Sequence, residues 1–448
     1  MDDGAKGTVL GRLALVPPLA VALLVWLLGS DVPYWDDWDL VPILSKAKRG
    51  AIGFADYFAL YGVHRFVLPK FVLTHVALAT GWNVRAQLLL NLGVVCLTLL
   101  AVARIAGPAH GTNRGALALL GSSLALFSLA QYDNFLWGGQ IGYFLTIALV
   151  VWAIAALATP AQPPWTRIAV AAALCFLASF SIGFGIVSWV ALAPLVWVRT
   201  PRHRAAALAA WAILAILCAS LYAAGAHFPI DGSPERAGPL EIVLFFVAVA
   251  GTPWTSLAAP ALALGAASLA LFAALAARAI RAGARAAMPW ISLGLVALGF
   301  AGLTAIVRAR IGWEVADSPR YATPMLLLVV ATIHLASAPS GERRRVSPAA
   351  ILVALLLLAN VTFLPLFWST AAARRVNRTC TDLAFVLGAA RADCVPAAGP
   401  QADLEGLMRR ARDERLRPFA DRSWFSAIDL PARDLRVDRA RGSIRMRG

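Results

Sequence analysis

The residues with the clearest chemical potential are Tyr34-Trp35-Asp36-Asp37-Trp38-Asp39, where three carboxylates stand among aromatic rings. Carboxyl groups beside one another and near low-dielectric surroundings have raised or split proton affinities, which suits one of them to accept a hydroxyl proton as a general base. The plainer alternative is a solvated acidic turn. In the same stretch His64-Arg65 could hold a phosphate, since a guanidinium fork matches phosphate oxygens bidentately. Lys70 reads as a cation snorkelling to headgroups. Gln131-Tyr132-Asp133-Asn134 with Trp137 and Gln140 suits a sugar, whose hydroxyls take amide and carboxylate partners while its apolar face stacks on an indole; an ordinary tight loop fits equally. Arg308, Arg310 and Arg320, followed by Tyr321, form a basic set beside Glu314 and Asp317. Guanidinium groups drawn toward a bilayer core cost about 2.5 kcal/mol each and want an anion. That anion is either these carboxylates or the phosphate of a lipid-linked substrate, whose departure with growing negative charge arginines would assist.

These groups must be positioned by a membrane protein. Of 448 residues, 60% are hydrophobic and only 14% charged, with a mean hydropathy of +0.72, against roughly a quarter charged in soluble domains. The apolar residues fall in blocks long enough to cross a hydrocarbon core of about 30 Å. A net charge of +16 does not signal nucleic acid, because acids and bases sort by membrane side. Spans are read at about 10–29, 84–106, 116–129, 141–158, 168–180, 185–198, 205–224, one within 240–280, then 289–307, 322–338 and 349–368. The interruption Gly251-Thr252-Pro253-Trp254 divides 240–280, and parity of the flanking basic loops makes its first part, 240–256, re-entrant or interfacial.

Eleven spans in an all-α polytopic fold follow, with a body over 1–369 and a polar tail over 370–448. Arginines in alternate short connections place the N-terminus in the cytoplasm and the C-terminal tail on the outer side of the membrane; Lys46, Lys48, Arg49 and Lys70 run against that bias. By this topology eleven of the fourteen acids before the tail lie outside, although acids contribute little to orientation. Residues 30–83 form a long first periplasmic loop with two amphipathic pieces lying in the interface. The tail carries sixteen arginines against ten acids, a short amphipathic helix near Leu404, Leu407, Met408 and Leu416, and Cys380 and Cys394, which in an oxidising periplasm would form a disulfide or else remain free thiols.

On these residues the chain resembles the GT-C superfamily of integral-membrane glycosyltransferases. A cytoplasmic N-terminus leading through one span into a long outer loop, with paired acids near its start and helices along the membrane, is that family's layout. More narrowly, Trp35-Asp36-Asp37-Trp38, His64-Arg65, Trp137 with Gln140, Ser181 to Gly185 and Ser318-Pro319-Arg320-Tyr321 resemble a bacterial group of GT-C-like membrane proteins. The resemblance implies an inverting transfer of sugar from a polyprenyl-phosphate donor to a hydroxyl of a glycan or lipid acceptor, in cell-envelope glycan synthesis, with Asp36 or Asp37 as base. Its members differ in needing a divalent metal such as Mg or Mn; three neighbouring acids could hold one, and nothing in the sequence demands it. Two other readings are a lipid-linked glycan polymerase or ligase, and a non-enzymatic lipid or solute transporter. The transporter reading expects repeated halves and charged midplane positions, neither of which is visible.

Overall fold

A computed structural model describes residues 11–107, 112–159, 162–225, 237–338, 347–387, 403–416, 435–438 and 443–446. The described chain is helical apart from one short antiparallel pair in the tail, β1 (Leu435–Asp438) with β2 (Ser443–Met446). The helices in chain order are α1 (Val16–Leu28), α2 (Val41–Lys48), α3 (Phe54–Phe58), α4 (Val67–Thr80), α5 (Val84–Ala106) and α6 (Asn113–Leu126). Then come α7 (Tyr132–Phe135), α8 (Ile141–Ala158), α9 (Pro164–Ser179), α10 (Val187–Arg199), α11 (Arg204–Ala223) and α12 (Pro239–Gly251). The last are α13 (Ala258–Arg281), α14 (Met288–Arg308), α15 (Pro319–Ser337), α16 (Pro348–Leu387) and α17 (Leu404–Asp413).

Among the described residues, nine helical segments are long and apolar enough to cross a membrane, and four shorter apolar helices, α4, α9, α10 with its preceding turn, and α12, accompany them. The protein is therefore an all-helical polytopic membrane protein in its body. Its centre is α15, buried along nearly its whole length and packed on α6, α14 and α16. The outer helices turn large apolar side chains outward, including Leu19 and Trp26 on α1, Ile216 on α11 and Val361 on α16. Such an exposed belt would be costly in water and is at home in lipid.

Sequence dictates the local detail. Asn83 starts α5 by accepting from the amide of Ala86 at 3.2 Å, an N-cap that satisfies a free helical donor. The α12–α13 hairpin closes on glycine: a Cβ at Gly251 would strike the carbonyl of Ala261, and one at Gly265 the carbonyl of Val247. Small residues are what allow two backbones to meet so closely in lipid.

A second, smaller core lies outside the helical bundle. Trp38, Leu40, Val41 and Leu44 pack there with Phe66, Leu73 and Trp82, and with Met408, Ala411 and Leu416 from the tail. The tail thus folds back onto the first loop. Glu414 seals the contact, accepting from Ser45 Oγ at 2.9 Å and from Arg49 at 2.6 Å, while Lys48 Nζ donates to its carbonyl at 2.5 Å.

Two local expectations differ from what is found. Lys70 does not snorkel: it is 1% exposed, and its Nζ donates to the carbonyls of Asp56 and Ala59 at 2.8 and 2.7 Å, tying α3 to α4. The helix that carries the last span does not stop near 368: α16 continues to Leu387, about 60 Å in all at 1.5 Å per residue. The proposed bridge of Cys380 and Cys394 lies outside the described residues, as does the side chain of Cys380 itself.

Candidate functional site

The three acids sit on a short 3-10 turn, Asp36–Leu40, directly after the first span. Trp35 enters it with φ +52, a conformation L residues with a side chain rarely adopt. Strain of this kind costs on the order of 1–3 kcal/mol and persists where surroundings enforce it. Here the amide of Tyr34 donates to Asp37 Oδ2 at 3.1 Å, closing the turn, and the hydroxyl of Tyr61 donates to the carbonyl of Asp36.

The two adjacent acids face different surroundings. Asp37 is 0% exposed, wedged against Gly139, where an added Cβ would lie 2.8 Å from Oδ1. Burial pushes its carboxyl up to about 7, with the charge of Asp36 adding to the rise and the amides of Tyr34 and Gly139 and the cation Arg374 opposing it. Asp36 is only half-buried. Its carboxyl is raised to about 6, first by burial and then by Asp39, while Arg320 pulls it down. Asp39 is exposed on the outer side of the turn.

Arg320 comes from the first turn of α15, 284 positions away in the chain, and so the connection from α14 to α15 comes within electrostatic reach of the first loop. Its Nε donates to Ser318 Oγ at 3.0 Å and its guanidinium lies 5.8 Å from the Tyr321 ring centre. Arg308, at the end of α14, acts on His64 from the other side; burial and this cation hold the imidazole down at about 4, so it is neutral. Tyr143 on α8 lies within electrostatic reach of both Arg308 and Arg320. Gly183 leaves room for this corner, since a side chain there would press on Tyr222 Oη and His64 Nδ1 at 2.8 and 3.1 Å.

Glu314 and Asp317, the carboxylates nearest in sequence, form no ion pair with Arg308 or Arg320 among the described residues. Both guanidinium groups are exposed. Arg308 and Arg320 therefore do not take, among the described residues, the internal pairing that the sequence raised for them. Arg310, on the turn after α14, is exposed as well.

Other expected residues have structural duties. Arg65 is buried, with its donors spent on the carbonyls of Phe58, Tyr222 and Ala224, which lock the first loop to the end of α11. Asn134 donates to Thr323 Oγ1 at 2.6 Å and to the carbonyl of Pro319 at 3.2 Å, holding α7 to the start of α15. Tyr321 is buried against Phe245 and Phe300. Trp137 meets Tyr34 edge-on at 5.3 Å. Its Nε1, Gln140 Oε1 and both amide atoms of Gln87 are buried without hydrogen-bond partners among the described residues. This leaves a polar seam beneath the acid turn, where native interiors rarely leave such groups unmet.

Three contributors escaped the sequence reading. Tyr61 and Tyr143 stand in no motif that the sequence singles out. Arg374 falls beyond the last apolar run, yet α16 carries it back to the turn, where it ion-pairs with Asp133 and stands over the ring of Tyr34. The helix-forming run Ala371-Ala372-Ala373-Arg374 was the signal that the helix continues. As for a metal, no group of three or more His, Cys, Asp or Glu side chains gathers to hold one among the described residues. The residues present do not fit the three-acid site considered for magnesium or manganese.

Chemically, the arrangement puts one half-buried carboxylate of raised proton affinity within electrostatic reach of Arg320, and Arg320 and Arg308, neither ion-paired among the described residues, both act on Tyr143. Compared with protein-family models, with curated proteins and with solved structures, the chain gives no match.

Proposed function

We propose that this protein is a membrane glycosyltransferase of GT-C type, moving a sugar from a polyprenyl-phosphate donor to a hydroxyl acceptor on the periplasmic face. The observation that carries the reading is Asp36 within electrostatic reach of Arg320, which shares Tyr143 with Arg308, neither arginine being ion-paired to a described carboxylate. Asp36 is the better base of the pair, because Asp37 is closed off from any substrate. In the reaction the acceptor O–H proton passes to the Asp36 carboxylate as the acceptor oxygen bonds the anomeric carbon. The bond from that carbon to the phosphate oxygen breaks, and polyprenyl phosphate leaves with the electron pair. Arg308 and Arg320 stabilise the charge that grows there. Attack opposite the leaving group inverts the anomeric centre.

The same proposal includes the topology. Counting α9 and α10 as a crossing pair gives eleven spans. Their connection lies at the first loop, where the amide of Leu68 donates to the carbonyl of Phe180 at 3.2 Å, which supports both helices crossing. The docking of α17 on α2 puts the tail on the first-loop side, as an odd number of spans requires. At 13 residues, about 20 Å, α12 falls short of a crossing, whereas α10 is lengthened by its preceding turn to Gly183–Arg199. Positive-inside bias then places the N-terminus in the cytoplasm and the site in the periplasm.

The test is transfer by the purified protein in lipid nanodiscs, given polyprenyl-phosphate sugars and hydroxyl acceptors. The expected product carries the sugar with inverted configuration and releases polyprenyl phosphate in equal amount. Retained configuration, or no turnover across a full donor panel, would reject the reading.

A further inference from the structure

Arg374 reaches the acid turn from the far end of the chain. Its side chain is 5% exposed, and it forms an ion pair with Asp133 of α7. Its guanidinium also covers the ring of Tyr34, whose own amide closes the acid turn on Asp37 Oδ2. The edge-on contact of Tyr34 with Trp137 then continues into the second loop. One buried cation is thus shared between the turn and the loop behind it, and its Nε has no partner among the described residues.

We infer that Arg374 is a positioning residue: paired with Asp133, it fixes Tyr34 and so holds the acid turn with Asp36 presented toward Arg320. The inference rests on the acid turn being the working site proposed above. A buried pair of this kind could also be a plain structural staple between α16 and α7. The two differ in what they do to the turn's electrostatics. A staple, once cut from either end, loosens the same contact. A positioning cation shared between Asp133 and the turn is redistributed in opposite senses when one or the other partner loses its charge.

Asp37 reports on this directly. The groups facing it are Asp36 on its own turn, Tyr61 from the loop before α4, Arg374 from α16, and the amides of Tyr34 and Gly139. Arg374 is the one cation acting on it among the described residues.

The experiment is an infrared pH titration of the full-length protein in nanodiscs, following the protonated-carboxyl band that disappears in Asp37→Asn. Wild type is expected to titrate near about 7. Arg374→Gln removes the cation and is expected to move the midpoint up by roughly half a unit or more. Asp133→Asn frees Arg374 to face the turn and is expected to move it down, with Arg374→Lys changing it least. Should Arg374→Gln fail to fold, Asp133→Asn and Arg374→Lys carry the same comparison. Shifts of the same sign in the two neutralised variants, or none in either, would overturn the inference. Opposite shifts in a protein that transfers no sugar would leave it standing and reject the glycosyltransferase reading alone.

Discussion

Burial raises the carboxyls of both Asp36 and Asp37, but only Asp37 is closed off completely, and this separates their roles. A base must be ionised to accept a proton, so transfer is expected to rise with pH through about 6, the value to which Asp36 is raised. Arg320 pulls that value down, so Arg320→Gln is expected to move the acid limb of the pH–rate profile to higher pH, besides weakening donor binding; an unmoved limb would separate the two residues. Asp37 binds its proton more tightly folded than unfolded, so its burial weakens the fold progressively as pH rises from about 4 to about 7. Asp37→Asn, which keeps an acceptor for the Tyr34 amide, is expected to raise the thermal midpoint at pH 8 by about a few degrees and to leave it unchanged at pH 4. Calorimetry at the two pH values checks this. The three acids were legible in sequence because carboxylates among interfacial aromatics are rare. Which of them is closed off was not, since that depends on Gly139, a hundred residues away, lying against Asp37 Oδ1.

At the scale of elements, hydropathy located the long helices well: the expected 84–106 and 141–158 coincide with α5 and α8. It misplaced the end of α16, because hydropathy reports where lipid ends and says nothing of where a helix ends. Beyond residue 368 the helix is held by its contacts with the first loop, which no local pattern encodes. The amphipathic segment around Leu404 was readable, but its docking partner was not, because any apolar face would satisfy the pattern. Glu414 gives that docking its direction. Glu414→Ala is expected to increase amide exchange several-fold in α2 and α17 while sparing α14 and α15, measured by hydrogen–deuterium exchange with mass spectrometry. Uniform protection in wild type and variant would show that Met408, Ala411 and Leu416 suffice to seat the tail.

For the whole molecule, the belt of outward apolar side chains points to a bilayer as the solvent, while the sidedness we propose rests on arginine placement and on the tail's return to the first loop. A cysteine replacing the exposed Asp39 is expected to react with an impermeant maleimide in intact cells, and one replacing Arg285 only after permeabilisation. Across the two sides the central claim is that distant parts of the chain assemble one periplasmic chamber in which Asp36 takes a proton opposite Arg308 and Arg320. The most direct measurement is the transfer rate of Asp36→Asn against wild type, with polyprenyl-phosphate binding measured on the same samples. Loss of roughly a hundred- to ten-thousand-fold in rate with binding retained is expected for a general base. Undiminished transfer by Asp36→Asn would contradict the assignment.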